Sequence, residues 1–340
     1  MKRMNSRQRI LAAIAKEQVD QIPLGPPFQG YWALGIAGLP VIDSIKHPRR
    51  AAAAQVEVTK RCQFDGIETM WDWLTAVEAL GCEVKIPEIG TIPTWTSVVK
   101  DDDTLAKLSH PDPKKDYRTK SAMETTAILR PMLEKEKFLY MTMVSPFTLA
   151  GELRGVEAMM LDTLMEPDFV LRLLRFSSSV VKEYVEHLVT AGVDGVILCD
   201  PTASGSLISK EDFSKYSQPF MKECGAVVTD ADQHLLIHIC GDTSDRLDTV
   251  VDVGADIFSL DYQVDLKVAH DAVGDRQTLL GNVKPAHTLF SGTPDAVMQE
   301  SLECIAKTGG KGFILGAGCD IAPGTPIENV DVWKSAVKAR

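Results

Sequence analysis

"HLLIHICGD", residues 234–242, is an apolar run that stops at a glycine and an aspartate. In an extended chain, alternate side chains share a face. His238 and Cys240 then point together, and Leu235, Ile237 and Ile239 point the other way. A strand that is apolar on both faces is covered on both sides, as in a parallel sheet dressed with helices.

Similar runs recur along the chain: "DGIETM" (65–70), "KFLYMTMV" (137–144), "GVILCD" (195–200), "ADIFSLD" (255–261), "TLLGNV" (278–283) and "GFILGAG" (312–318). "QIPLG" (21–25) is a weaker member, which makes eight candidate strands. Helical patterns lie between them. "FSSSVVKEYVEHLVTAG" (176–192) is apolar at helical spacing and ends in a glycine. "PDAVMQESLECIAKTGG" (294–310) opens on a proline and exits on glycines, and "DTSDRLDTVVDVG" (242–254) offers a third. Alternating strands and helices in this number predict a (β/α)8 TIM barrel, an α/β fold, spanning residues 1–340 as one domain. The region 82–135 is harder to assign and is expected to be a hairpin or an excursion before the third barrel strand.

The chain has 340 residues, 45% hydrophobic, with a net charge of −11. That is ample for a large core, and the acidic balance argues against nucleic acid or an anionic membrane as partner. The short apolar stretch near the start is followed by Lys16 and Glu17, which does not read as a secretory signal. No run of eighteen apolar residues appears. Seven scattered cysteines do not form a disulfide framework, so a cytoplasmic location with reduced thiols is expected.

Barrel enzymes carry reactive groups at the C-terminal ends of their strands. Glu68 and Asp72 lie around the "DGIETM" run, Asp200 ends "GVILCD", Asp261 ends "ADIFSLD", and Asn282 lies in "TLLGNV". His238 and Cys240 on one face, with Cys319 at the rim of the last run, offer one imidazole and two thiolates. That donor set favours tetrahedral zinc with one position open to substrate. The plain alternative is a buried histidine and inert thiols, as Cys62, Cys82, Cys199, Cys224 and Cys304 are read here. Asp72, between Trp71 and Trp73, is either a pocket carboxylate or a helix cap. Glu152 is either a surface helix residue or a fourth, displaceable metal ligand. Asp200 and Asp261 are catalytic candidates that could equally cap the following helices.

Several stretches together resemble one family. "SRQRILAAIAKEQVDQIP" (6–23), "SPFTLAGELRG" (145–155), "HICGDTSDRL" (238–247), "LLGNVKP" (279–285) and "GAGCDIAPGTPIENV" (316–330) are similar to the uroporphyrinogen decarboxylase superfamily. The resemblance runs from about residue 4 to 335 and implies the same barrel fold. The decarboxylases carry an arginine-rich motif, RQAGR, whereas the corresponding "PPFQGYWALGIAGLP" (26–40) has no arginine. They also have a histidine-containing glycine turn where this chain has Cys319. The other branch, corrinoid-dependent methyltransferases similar to methylcobamide:coenzyme M methyltransferases, carries H-x-C plus a late cysteine as zinc ligands. His238, Cys240 and Cys319 match that pattern.

The resemblance therefore implies zinc and a methyl transfer between cobalamin and a small substrate, with a thiol such as coenzyme M favoured. Demethylation of an aryl methyl ether is an alternative, and a metal-free tetrapyrrole decarboxylase or a zinc-stabilised scaffold are rivals. It further implies that Asp72 orients substrate, that Glu152 sits near a pocket-facing position, and that Asn282 belongs to a cofactor-binding motif. No corrinoid-binding D-x-H-x-x-G motif is present. The corrinoid is thus expected on a partner protein.

Overall fold

The computed structural model describes residues 3–133 and 136–338. Seven strands form one parallel sheet in sequential order: β1 (Gly66–Met70), β2 (Phe138–Val144), β3 (Gly195–Cys199), β4 (His234–Ile239), β5 (Ile257–Leu260), β6 (Thr278–Val283) and β7 (Phe313–Ala317). Each strand coincides with one of the apolar runs. Apart from His234, every residue of these strands is buried.

The two faces of the sheet meet different partners. Leu236 of β4 joins Tyr140, Ile197, Ile257, Leu280 and Ile314 in an inner cluster, into which the N-terminal helix Ser6–Ile14 inserts Ile10 and Ala13. Leu235, Ile237 and Ile239 face outward into the larger core shared with the helices. The alternation expected for β4 is therefore the one observed. Full burial of such an aliphatic side chain contributes about 1.5–3 kcal/mol. Helix Pro167–Leu188 shows how the outer layer is built: Val170, Leu173, Leu174, Val181 and Val185 line its buried face at helical spacing. It starts at Pro167, well before the expected 176, because that proline fixes the first helical turn.

The weak run "QIPLG" departs from expectation. It forms no extended strand; Leu24 makes a single isolated parallel bridge to Leu315 of β7. On its other side the Leu24 carbonyl accepts from the amides of Asp65 and Gly66, at the head of β1. Pro23, Pro26 and Pro27 have no N–H to donate, so a longer ladder cannot form. Side chains compensate: the Asp65 carboxylate accepts the Leu24 amide at 2.9 Å and pairs with Arg9 at 3.0 Å.

Between β1 and β2, Val84 and Thr94 form an isolated antiparallel bridge. Helix Tyr117–Met132 then returns to lie against β1 and helix Pro48–Cys62. Among the described residues, no helix is long and apolar enough to cross a membrane.

Candidate active site

Strand β4 delivers His238 and, just beyond its end, Cys240 to the C-terminal side of the sheet. Register sets His238 between Cys199 of β3 and Ser259 of β5. Ser259 fixes the imidazole: Nδ1 lies 3.1 Å from its carbonyl oxygen and 3.0 Å from its hydroxyl. A ring nitrogen held against a carbonyl oxygen must carry the proton, so Nε2 presents its lone pair to the cavity. Phe28 packs edge-on against the ring, with centroids 4.9 Å apart.

Cys319 arrives from the loop after β7. That loop is clamped on both sides. Phe28 bridges Asp320, and the Ile321 amide donates to the Phe28 carbonyl at 3.1 Å. Gly318 passes so close to Tyr262 that a Cβ there would lie 2.6 Å from the tyrosine backbone nitrogen.

The result is a compact donor trio. His238 Nε2 lies 3.2 Å from Cys240 Sγ, and Cys240 Sγ lies 3.7 Å from Cys319 Sγ. All three ligand atoms fall within 4.8 Å of one another. A tetrahedral ion with Zn–S bonds of about 2.3 Å separates two sulfurs by about 3.8 Å. The observed spacing fits that geometry, and one imidazole with two thiols is a donor set suited to zinc. The adjoining Cys240 thiol and burial both push the Cys319 thiol well above its ordinary range. Two crowded thiols resist ionisation in this way unless a cation lies between them.

A cavity of about 90 Å3 opens beside the trio, walled by Phe28, Tyr31, Trp71, Trp73, Glu68 and Asp320. It can take only a small molecule. A larger cleft of about 740 Å3, lined by Lys16, Ile22 and Lys311, lies at the opposite ends of the strands and holds none of the candidate groups.

Glu68 occupies the middle of β1. Its Oε2 accepts from the amides of Gln29 (3.0 Å) and Gly30 (2.9 Å), and its Oε1 from the Thr142 hydroxyl (2.9 Å). Burial outweighs these donors and pushes its carboxyl up to about 7. Asp320 is likewise pushed well above the usual carboxylate range by burial, and its Oδ1 is sealed from solvent without a hydrogen-bond partner. Sequence reasoning named Glu68 among the polar residues around the strand ends but gave it no role. The available signal for Glu68 was a charged residue within an otherwise apolar strand, a position that is costly without a purpose or a partner.

The other sequence candidates lie apart from the trio. Asp72 forms a two-pronged ion pair with buried Arg118, at 2.6 and 2.5 Å, and lines a separate small cavity behind Trp71. Glu152 neighbours Thr94 and Cys82, and burial raises its carboxyl. It is not part of the donor cluster. Asp200 is fully buried and accepts from Thr148 and Ser217, tying together the helices that follow β2 and β3. Asp261 accepts the Gln263 amide at 2.9 Å. Asn282 donates to the carbonyls of Asp261 (3.1 Å) and Val264 (2.8 Å), fastening the loop after β5. None of these five lines the cavity beside the trio.

The uroporphyrinogen decarboxylase (URO-D) family model matches residues 5–340. The chain belongs to that family. It is 28% identical to methylcobamide:CoM methyltransferase MtbA of Methanosarcina acetivorans, over 98% of this chain and 97% of that protein. It is 25% identical to methylcobamide:CoM methyltransferase MtaA of Methanosarcina barkeri, over 100% and 98%. Among solved structures, a methyltransferase from Methanosarcina mazei superposes with a TM-score of 0.90 at 24% identity, covering 98% of both chains. That superposition speaks for the fold. The family member described here is an enzyme of the methyltransferase kind.

Proposed function

We propose that the protein is a zinc-dependent methyltransferase that moves a methyl group between a corrinoid carried by a partner protein and a small thiol. The donor trio of His238, Cys240 and Cys319 carries this reading, because its spacing suits a tetrahedral ion with a position left for substrate. Sheet closure belongs to the same reading: residues 22–25, bonded to β7 on one side and to the head of β1 on the other, act as the eighth stave of a (β/α)8 barrel.

When bound, zinc supplies Lewis acidity that lets a thiol lose its proton near neutral pH while staying nucleophilic. The protein's own groups do the rest. Ser259 holds His238 in the tautomer that leaves Nε2 free. Phe28 fixes the ring's tilt, and the aromatic walls keep water from the reacting end. In the transfer, an electron pair on the substrate sulfur forms the S–C bond, and the pair of the C–Co bond stays with cobalt. A cavity of about 90 Å3 cannot enclose a corrinoid, so the partner must present it at the mouth of the site. The reading includes a cytoplasmic location, where the thiols stay reduced.

The four aromatic walls favour one second reading, demethylation of an aryl methyl ether at the same centre. Decarboxylation of a tetrapyrrole fits less well, since the cavity is small and its walls carry acids rather than arginines.

The test combines metal analysis of the purified protein with incubation against methylcobalamin, using a panel of thiols. Aryl methyl ethers are tried in the reverse direction with reduced cobalamin, and the corrinoid spectrum is followed in both. One zinc per chain and demethylation by at least one thiol are expected. Full zinc with no spectral change for any compound refutes the reading.

A further inference from the structure

The walls of the small cavity carry two carboxylates, Glu68 and Asp320, and four aromatic side chains, Phe28, Tyr31, Trp71 and Trp73. Among the described residues, no lysine or arginine lines it. Arg118, in the cavity on the far side of Trp71, is fully engaged: Nε and one terminal nitrogen grip Asp72, and the other bonds Glu78 at 2.9 Å. The Gln29 and Gly30 amides nearby are both directed at Glu68. An anionic end group entering this space would lose its water and find acid oxygens and ring faces in exchange. A cationic end group would find the opposite: acid oxygens, among them Glu68 Oε1 with its single donor, and the negative faces of indole and phenol rings.

We propose that this site takes a substrate whose end remote from the reacting atom is cationic, a small amine-bearing molecule, in preference to an anionic thiol such as coenzyme M. The proposal rests on the methyl-transfer reading only for the reacting end. Glu68 acts as a specificity-determining residue. Its rigid placement on β1, with both oxygens held by N–H and O–H donors, keeps an acceptor face in the cavity at fixed position.

Three two-carbon thiols that differ only in their far end provide the test: 2-aminoethanethiol, 2-mercaptoethanol and 2-mercaptoethanesulfonate. Each is titrated calorimetrically into the full-length, zinc-loaded protein at one pH, with affinities corrected for thiol ionisation. The amine is expected to bind at least tenfold more tightly than the sulfonate, with the alcohol between them. Glu68→Gln is expected to narrow the amine-to-sulfonate ratio to below threefold at unchanged zinc content. Should that variant fold poorly, the wild-type order alone decides. A sulfonate that binds as tightly as the amine overturns the proposal, as does failure of all three to bind at full zinc occupancy. Methylcobalamin demethylation with the same thiols tests the underlying reading separately. Turnover that favours the sulfonate overturns the proposal and leaves the reading standing. Absence of turnover overturns the reading, while the binding order still decides the charge preference.

Discussion

Replacing Asp200 with asparagine should flatten the pH dependence of stability without emptying the active site. The carboxylate is fully buried. It accepts from the Thr148 amide (3.1 Å), the Thr148 hydroxyl (2.6 Å) and the Ser217 hydroxyl (2.5 Å). Burial nevertheless pushes it from 3.8 up to about 6. The difference, 6 − 3.8 = 2.2, corresponds to about 3 kcal/mol at about 1.36 kcal/mol per unit. A carboxyl raised in the folded state contributes stability that is complete below its unfolded value, and that contribution is lost as pH rises through the folded one. Between pH 5 and 8, Asp200 alone should therefore remove about 1.4 kcal/mol from the unfolding free energy. Asp200→Asn cannot ionise, so its stability should fall by about 1.4 kcal/mol less than wild type over that interval. Urea unfolding followed by circular dichroism at the two pH values measures this directly. Asp200 does not line the cavity beside the trio, so kcat/KM should stay within several-fold of wild type in the folded variant. Parallel pH profiles for the two proteins would refute the energetic argument. A thousandfold loss of turnover at wild-type stability would refute the tying role.

Three other perturbations have defined outcomes. Cys319→Ser should reduce zinc content well below one per chain and lower the melting temperature, read by mass spectrometry of the metal and by calorimetry. Arg118→Ala leaves the buried Asp72 carboxylate without its partner and should destabilise the protein by about 3–5 kcal/mol, measured by urea unfolding. Gly318→Ala would drive a Cβ to within 2.6 Å of the Tyr262 nitrogen. It should displace the neighbouring thiol and weaken zinc binding at least tenfold in a chelator competition, with the circular dichroism spectrum unchanged.

What the sequence made legible follows from the range of the forces involved. The seven strands could be read because burial on both faces writes itself locally as an unbroken apolar run. The shared direction of His238 and Cys240 could be read because strand geometry has a period of two. Cys319, 79 positions beyond Cys240, was linked to them by its place at the rim of the last apolar run and then by motif resemblance. The run at residues 21–25 was harder to read because of Pro23, Pro26 and Pro27, whose missing donors leave it a single bridge to β7. Asp72, Asp200, Asp261 and Asn282 do not line the cavity beside the trio, and local pattern could not show this: a polar residue at a strand end has the same context whether it faces a substrate or holds a neighbouring loop. Only tertiary partners such as Arg118, 46 positions from Asp72, distinguish the two. Glu68 was visible as an anomaly, but its donors come from Gln29, Gly30 and Thr142, far away along the chain.

Because the loop carrying Cys319 is braced against Phe28, segments far apart along the chain must both be in place before the trio could grip an ion. A nascent chain still emerging from the ribosome would carry an incomplete claw. Metal loading would then report that the segments carrying Phe28 and Cys319 have met, and a chain truncated before residue 319 should hold no ion however well its earlier strands have formed.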